Sequence, residues 1–398
     1  VGVVATQGLF PSLFLFLCSR GRGAMESSAV GRLRTLVRQV LPVAPCPVSS
    51  GVVNRKVVLR SAPEGEPKAS DFELVSEPLP PVGEGEMLLR TKWLSLDPYM
   101  RTGEGMASKR ARGKTIVGGT VSEVVESRSS SWKKGDLVVG YYGWQEYTVA
   151  KETDVQWHSK AIPIERWDGS LGPAPAALGV LGMTGYTAYF GLLEVGKPKE
   201  GETVVVSAAS GAVGQVVGQL AKIRGCRVVG IAGGQRKCSF CTDELGFDAC
   251  VDYKAGDLPA ALKAACPRGV DVYFENVGGD VLEAVIPLLN PGCRVPVCGF
   301  ISQYNGPTTA LNPLQRLKQV GLEPLGKNGR TDGFRFFFWS EPGFVPRLGH
   351  ALRDLSGWIK EGKLKYKESV TQGLENAVEA FIGLLRGENF GKTLVQVS

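Results

Sequence analysis

Two short stretches carry residue types that could do chemistry together. In "SAASGAVGQVV" (207–217), Ala209, Gly211 and Gly214 fill the small-residue positions of a G-x-G-x-x-G turn, with alanine in the first. An apolar run, "TVVVSAA", precedes it and an amphipathic run, "AVGQVVGQLAKIRG", follows. That is the strand–turn–helix context in which such a turn holds a dinucleotide. Small residues let the backbone approach a pyrophosphate, and the helix start offers free N–H groups at its positive end. The alternative is a tight turn with no ligand. Further on, the run "CRVVGIAG" ends at Gly233, Gly234, Gln235, Arg236 and Lys237. An acid at this place would favour a free ribose 2′-hydroxyl, whereas cations hold a 2′-phosphate. The sequence thus points to NADP. Two solvated charges are the competing reading, but cations in a first helical turn oppose the helix dipole.

Other chemistry lacks its parts. The chain has two histidines, His158 and His350, and no cysteine between Cys46 and Cys226. Neither a catalytic nor a structural zinc site can be assembled from this, so no metal is expected. Cys238 and Cys241 form a C-x-x-C without a second pair, which reads as two small apolar residues on one helical face. Tyr147 and Lys151 make a Y-x-x-x-K that precedes the dinucleotide fold and is taken as coincidence. What remains is hydride transfer without a metal or a histidine base.

The elements that must position these residues fall into two styles. From about 52 to 165, short runs such as "NRKVVLRSAP", "EMLLRTKWLSL" and "GGTVSEVVES" are punctuated by Gly, Pro and Asp, which predicts a β-barrel-like domain. Residues 169–193 contain no charge; laced with Gly, Pro and Thr, they read as a buried connecting helix rather than a membrane span. From about 200, strands alternate with helices, the pattern of a parallel sheet covered on both faces. Two helical runs and a last strand, "GKTLVQV", close the chain.

Composition is that of a globular protein: 398 residues, 43% hydrophobic and 21% charged. The net charge of +7 is concentrated in residues 1–50, and the remainder is too mildly basic to argue for nucleic acid. Seven of nine cysteines lie between Cys226 and Cys298 without disulfide-like spacing, which favours a reducing compartment. Residues 1–51 read as a disordered or targeting extension, Arg-rich from Met25 onward, so a cytoplasmic location is expected with mitochondrial as the alternative.

Six motifs occur in order: "SLDPYMR" (95–101), "GMTGYTAYFGLLE" (182–194), "SAASGAVGQVVGQLAKIRGCRVVG" (207–230), "ENVGGDVLEAVI" (275–286), "CGFISQYN" (298–305) and "NFGKTLV" (389–395). With them the chain resembles the zinc-independent medium-chain dehydrogenase/reductases, in the group of prostaglandin reductase (leukotriene B4 12-hydroxydehydrogenase), alkenal double-bond reductase and curcumin reductase. The resemblance covers about residues 52–398. It implies a GroES-like β-barrel catalytic domain (52–180 and 366–398) with an inserted Rossmann domain (181–365), NADPH, a homodimer, and reduction of a C=C bond conjugated to a carbonyl. It assigns Gly211, Ala212, Val213 and Gly214 to the pyrophosphate turn, Lys237 to the 2′-phosphate and Tyr253 to the adenosine end. Asn276 goes to the end of a strand beside the cofactor, the run Cys298, Gly299, Phe300, Ile301, Ser302, Gln303 and Tyr304 to the nicotinamide side, and Asn389 to the nicotinamide ribose. Phe334, Arg335 and Phe336 are carried over from an unusual segment (326–344), and Tyr99 and Tyr304 line the substrate cleft as catalytic candidates.

The implied mechanism is a 1,4-reduction of an enone or enal, in which a hydrogen bond from Tyr304 or from the ribose 2′-hydroxyl stabilises the enolate while solvent protonates the α-carbon. Two other classes compete: a quinone or alcohol oxidoreductase on the same fold, and a non-catalytic NADP-binding protein of crystallin or RNA-binding type. The basic run "KRARGK" (109–114), near the expected cleft mouth, reads as a solvated loop, with attraction of acidic substrates as the alternative.

Overall fold

The computed structural model describes residues 51–102, 105–107, 111–154, 164–306, 312–338 and 340–398. The expected targeting extension, His158 and two residues of the 109–114 basic run lie outside these. The first short runs become strands β1 (Val53–Leu59) and β2 (Phe72–Pro78), an antiparallel pair. β3 (Glu86–Ser95), β4 (Thr120–Ser127), β5 (Leu137–Gly140), β6 (Tyr147–Lys151) and β7 (Glu165–Trp167) follow. Their inward residues Met87, Leu89, Val124 and Val138 are fully buried, as the alternating pattern requires. Tyr147 and Lys151 lie along β6, so about 13 Å of strand separates them and no helical Tyr–Lys pair exists.

The uncharged run becomes α1 (Met183–Phe190), which continues as a π-helical turn, Gly191–Gly196. Gly191 is glycine for a packing reason: a Cβ there would collide with the rings of Phe337 and Phe274. Among the described residues no helix is long and apolar enough to cross a membrane.

The alternating half follows as β8 (Thr203–Ser207), α2 (Gly214–Ile223), β9 (Arg227–Ala232), α3 (Gln235–Ser239), β10 (Ala249–Asp252), α4 (Leu258–Ala265), β11 (Val270–Phe274), α5 (Gly279–Val285), β12 (Leu289–Val297), α6 (Pro313–Gln319) and β13 (Gly333–Phe336). All six strands run parallel, in the order β10-β9-β8-β11-β12-β13. β8 is buried along its whole length, because helices cover both faces; each such valine contributes about 1.5 kcal/mol or more by leaving water. The strand order reverses between β8 and β11. That switch point opens a crevice at the carboxyl edge, where ligands of open α/β sheets bind.

The chain ends with α7 (Leu348–Lys360), β14 (Glu368–Gln372), α8 (Ala377–Leu385) and β15 (Lys392–Gln396). β15 pairs antiparallel with β3, so the last strands rejoin the first sheet, whose order is β14-β15-β3-β4-β5-β7 with β6 on β3.

Candidate active site

The glycine turn sits where β8 meets α2. Ala208 takes a positive φ of 51°, and a Cβ on Gly214 would collide with the Ala208 carbonyl oxygen, so the turn closes only with glycine at 214. The Gly211 N–H bonds back to Ala208 at 2.9 Å. Gly391 donates to the Ser210 carbonyl at 3.0 Å, which lays the segment before β15 against this turn. The cradle fits a pyrophosphate: small residues, a ten-residue helix starting at Gly214, and no acid in its first turn.

Arg236 and Lys237 lie in the first turn of α3. They part company. Arg236 is exposed, with its guanidinium 5.4 Å from the centre of the Phe390 ring. Lys237 is half-buried and donates to the Gly387 carbonyl at 2.6 Å; among the described residues it has no carboxylate partner. Burial, and then the Lys254 charge, hold its ammonium below the usual lysine range. A cation kept beside a second cation with only a carbonyl for company suits an anion. Tyr253 packs on Gly233, where a Cβ would come within 2.8 Å of its ring, and Lys254 lies 5.8 Å from the ring centre. The acid near this pocket, Asp252, is spent on the N–H groups of Gly234 and Lys254. Lys254 was not singled out in the sequence, although it adjoins Tyr253.

At the switch point Asn276 ties β11 to β8: its amide donates to the Ser207 carbonyl at 2.7 Å. Glu275, fully buried, accepts from Ser207 Oγ and from the N–H groups of Val277 and Gly278. Burial raises its carboxyl, and the backbone donors oppose the rise. The turn it shapes carries the next loop, because Ile301 and Ser302 donate to the carbonyls of Asn276 and Val277 at 3.2 and 3.1 Å. In that loop the Tyr304 hydroxyl accepts from the Phe300 N–H at 3.2 Å. Gly299 makes room for it: a Cβ there would stand 2.6 Å from the phenol oxygen. Burial pushes the Tyr304 phenol up to about 12, against the Phe300 N–H. The oxygen accepts this one bond, and a phenol raised in this way keeps its proton at neutral pH. Cys298 is a protonated thiol, raised to about 12 by burial and by Glu275, and is no nucleophile at neutral pH.

Tyr99 lies in a short 3-10 helix, Pro98–Arg101, which Arg101 ties to the Tyr304 loop through Asn305 at 3.1 Å. Burial, then Tyr141 and Asp97, raise its phenol well above the usual value. Asp97 is held by a buried ion pair with Lys392, 3.0 Å apart, and by Ser95 Oγ. Lys392 also donates to the Leu96 carbonyl at 2.7 Å. Burial lowers the Lys392 ammonium, and Asp97 opposes the shift. Beside this loop a cavity of about 40 Å³ is lined by Ser95, Asp97, Tyr141, Glu165, Met183 and Tyr186. Sequence reasoning missed Lys392, Asp97 and Glu275 as site-builders, though all three stand inside motifs it quoted.

The 326–344 segment supplies edge strand β13. Phe334 is buried in the core formed with Val295 and Leu317, so its side chain is committed to packing. Arg335 pairs with Glu341, and Phe336, 37% exposed, stacks on Phe300 at 6.3 Å. Asn389 donates to the Gly391 carbonyl at 2.8 Å. Cys238 and Cys241 are buried, and His350 lies exposed 3.5 Å from Asp354. Among the described residues no group of three or more His, Cys, Asp or Glu side chains converges as a metal site would require.

Residues 55–157 match the family described as "N-terminal domain of oxidoreductase" and residues 212–322 the one described as "Zinc-binding dehydrogenase". The chain is 46% identical over 352 residues to the NADPH-dependent curcumin reductase of Escherichia coli, covering 87% of this chain and 97% of that protein. It is 44% identical over 330 residues to prostaglandin reductase 1 of Oryctolagus cuniculus, covering 82% and 89%. The crystal structure of CurA in complex with NADPH from Vibrio vulnificus superposes with a TM-score of 0.76 at 44% identity, covering 86% of this chain and 99% of that one. On its glycine turn, its strand order and these similarities, the chain belongs to the medium-chain dehydrogenase/reductases, in the group of the curcumin and prostaglandin reductases.

Proposed function

We propose that this protein, an NADP-dependent oxidoreductase acting on C=C bonds, reduces the double bond of α,β-unsaturated ketones and aldehydes. The observation that carries this reading is Tyr304: a phenol at the carboxyl edge of the sheet, accepting from the Phe300 N–H and keeping its proton to donate. Gly211 to Gly214, Lys237, Tyr253, Asn276 and Asn389 would hold the cofactor. When bound, NADPH supplies the hydride for the β-carbon. The residues do the rest. Tyr304 donates to the carbonyl oxygen as negative charge develops there, a bond that strengthens only as the enolate forms. Tyr99 is the second candidate donor to the same oxygen. The α-carbon takes its proton from solvent. Cys298, held as a neutral thiol, resists addition to the electrophilic substrate.

In this reading residues 52–180 and 366–398 form the catalytic domain, residues 181–365 the cofactor domain, and the protein works as a zinc-independent homodimer. The test is NADPH oxidation against a panel of enones and enals, with product analysis. A saturated product with its carbonyl intact supports the reading. An alcohol from a substrate whose double bond survives would overturn it.

A further inference from the structure

Arg101 closes the 3-10 helix that carries Tyr99, and its side chain is spent across the cleft. Nε donates to Asn305 Oδ1 at 3.1 Å, and Nη2 donates to the carbonyls of Gly65 at 2.7 Å and Pro63 at 3.2 Å. The residue is 6% exposed. Among the described residues no carboxylate lies within ion-pair distance of it. A guanidinium buried on neutral acceptors is costly, and its rigid planar fork fixes three partners at once.

What it fixes is the residue after Tyr304. The first half of the 301–306 turn hangs on its own domain, through Ile301 and Ser302 to Asn276 and Val277. Among the described residues the backbone bonds of the second half stay within residues 300–306: Gln303 donates to Phe300, Tyr304 to Ile301 at 3.4 Å and Gly306 to Gln303. Among the described residues the one side-chain bond from this half to another element is that between Arg101 and Asn305. The two segments are 204 residues apart in sequence.

We propose that Arg101 is a positioning residue for the reaction: by gripping Asn305 it sets the distance between the Tyr304 hydroxyl and a carbonyl oxygen held against the barrel wall. This rests on the enone-reductase reading above. Misplacing a reacting group by about 1 Å can cost on the order of 100-fold in rate.

Asn305→Ala removes the gripped acceptor without emptying the buried pocket, and Arg101→Lys keeps the charge but loses the fork. Each should lower kcat by about 10- to 100-fold while the dissociation constant for NADPH stays within about twofold. Made on a Tyr304→Phe background, neither should lower kcat further by more than about twofold, because nothing is left to position. Equal losses with and without the Tyr304 hydroxyl would mean a merely structural contact and overturn the proposal, as would an unchanged kcat in both single variants. An active wild type with a silent Tyr304→Phe overturns the clasp and leaves enone reduction standing. A wild type that reduces no enone overturns the functional reading and the clasp with it.

Discussion

Lys237→Ala should raise the KM for NADPH by about 10- to 150-fold and leave that for NADH within about twofold. The range follows from the local chemistry. A hydrogen bond to a charged group contributes about 1.5–3 kcal/mol, and each 1.4 kcal/mol is tenfold in affinity. Lys237 is half-buried, which favours the upper part of the range, but Lys254 remains nearby to share a phosphate and softens the loss. The free protein should hardly notice the change, because among the described residues the ammonium bonds only the Gly387 carbonyl, and removing it relieves repulsion with Lys254. Initial rates with each cofactor, together with thermal unfolding with and without NADPH, separate the two effects. Each tenfold loss of affinity should subtract about 1.4 kcal/mol from the stabilisation conferred by a fixed excess of NADPH. Equal losses for NADPH and NADH, or a large fall in the melting temperature of the free protein, would refute the assignment of Lys237 to a 2′-phosphate.

Four further outcomes are expected. Tyr304→Phe should lower kcat by about 100-fold on an enone, softened by any share that Tyr99 or the ribose hydroxyl takes, with KM little changed; a raised KM with kcat intact would assign Tyr304 to packing. Since the Tyr304 phenol is raised to about 12, it stays a donor below that pH, so kcat at saturating NADPH should remain level from pH 7 to about 10. Lys237 is lowered and loses its charge before a free lysine would, so KM for NADPH should rise in the same alkaline range while KM for NADH does not. Lys392→Met strands the buried Asp97 carboxylate and should cost about 3–5 kcal/mol by urea unfolding, much of which Asp97→Asn in the same chain should restore.

The parts of the fold that were legible in the sequence are those fixed by short-range pattern. The β8–turn–α2 unit could be read because strand, glycines and helix are contiguous and each obeys its own period. Edge strand β13 was obscured by the unusual 326–344 segment, whose run of phenylalanines, Phe336 to Phe338, has no period of two. Pairing across the sheet sets its bounds instead: Val295 faces Phe334 and Val297 faces Phe336. That pairing also turns Phe334 inward, which a motif transferred along the chain could not foresee. The site divides in the same way. Lys237 was visible because it directly follows β9, where the strand–turn–helix pattern puts the ribose contact, although its partner Gly387 lies 150 residues away and was not foreseen. Asp97 with Lys392, and Arg101 with Asn305, are each made from residues hundreds of positions apart. A lone charge inside an apolar motif was the available signal, and it names one partner of the pair but not the other.

The segment from Arg386 to Lys392 explains why the chain leaves its first sheet and returns to it only at the end. Arg386 pairs with Glu66 of the loop that Arg101 also grips. Gly387 gives its carbonyl to Lys237, and Asn389 caps Gly391. Gly391 donates to Ser210 at the glycine turn, with a φ of 76° and no room for a Cβ against the Lys367 carbonyl. One residue later Lys392 is inside the barrel, bonded to Asp97 below Tyr99. Seven consecutive residues therefore touch the proposed phosphate pocket, the proposed pyrophosphate turn and the segment that leads into Tyr99. A free C-terminal tail would have to be ordered each time the site formed, at about 1–2 kcal/mol per residue. Here β15, paired with β3 and β14, has met that cost in folding, so the same strand that completes the barrel also sets both ends of the site in advance.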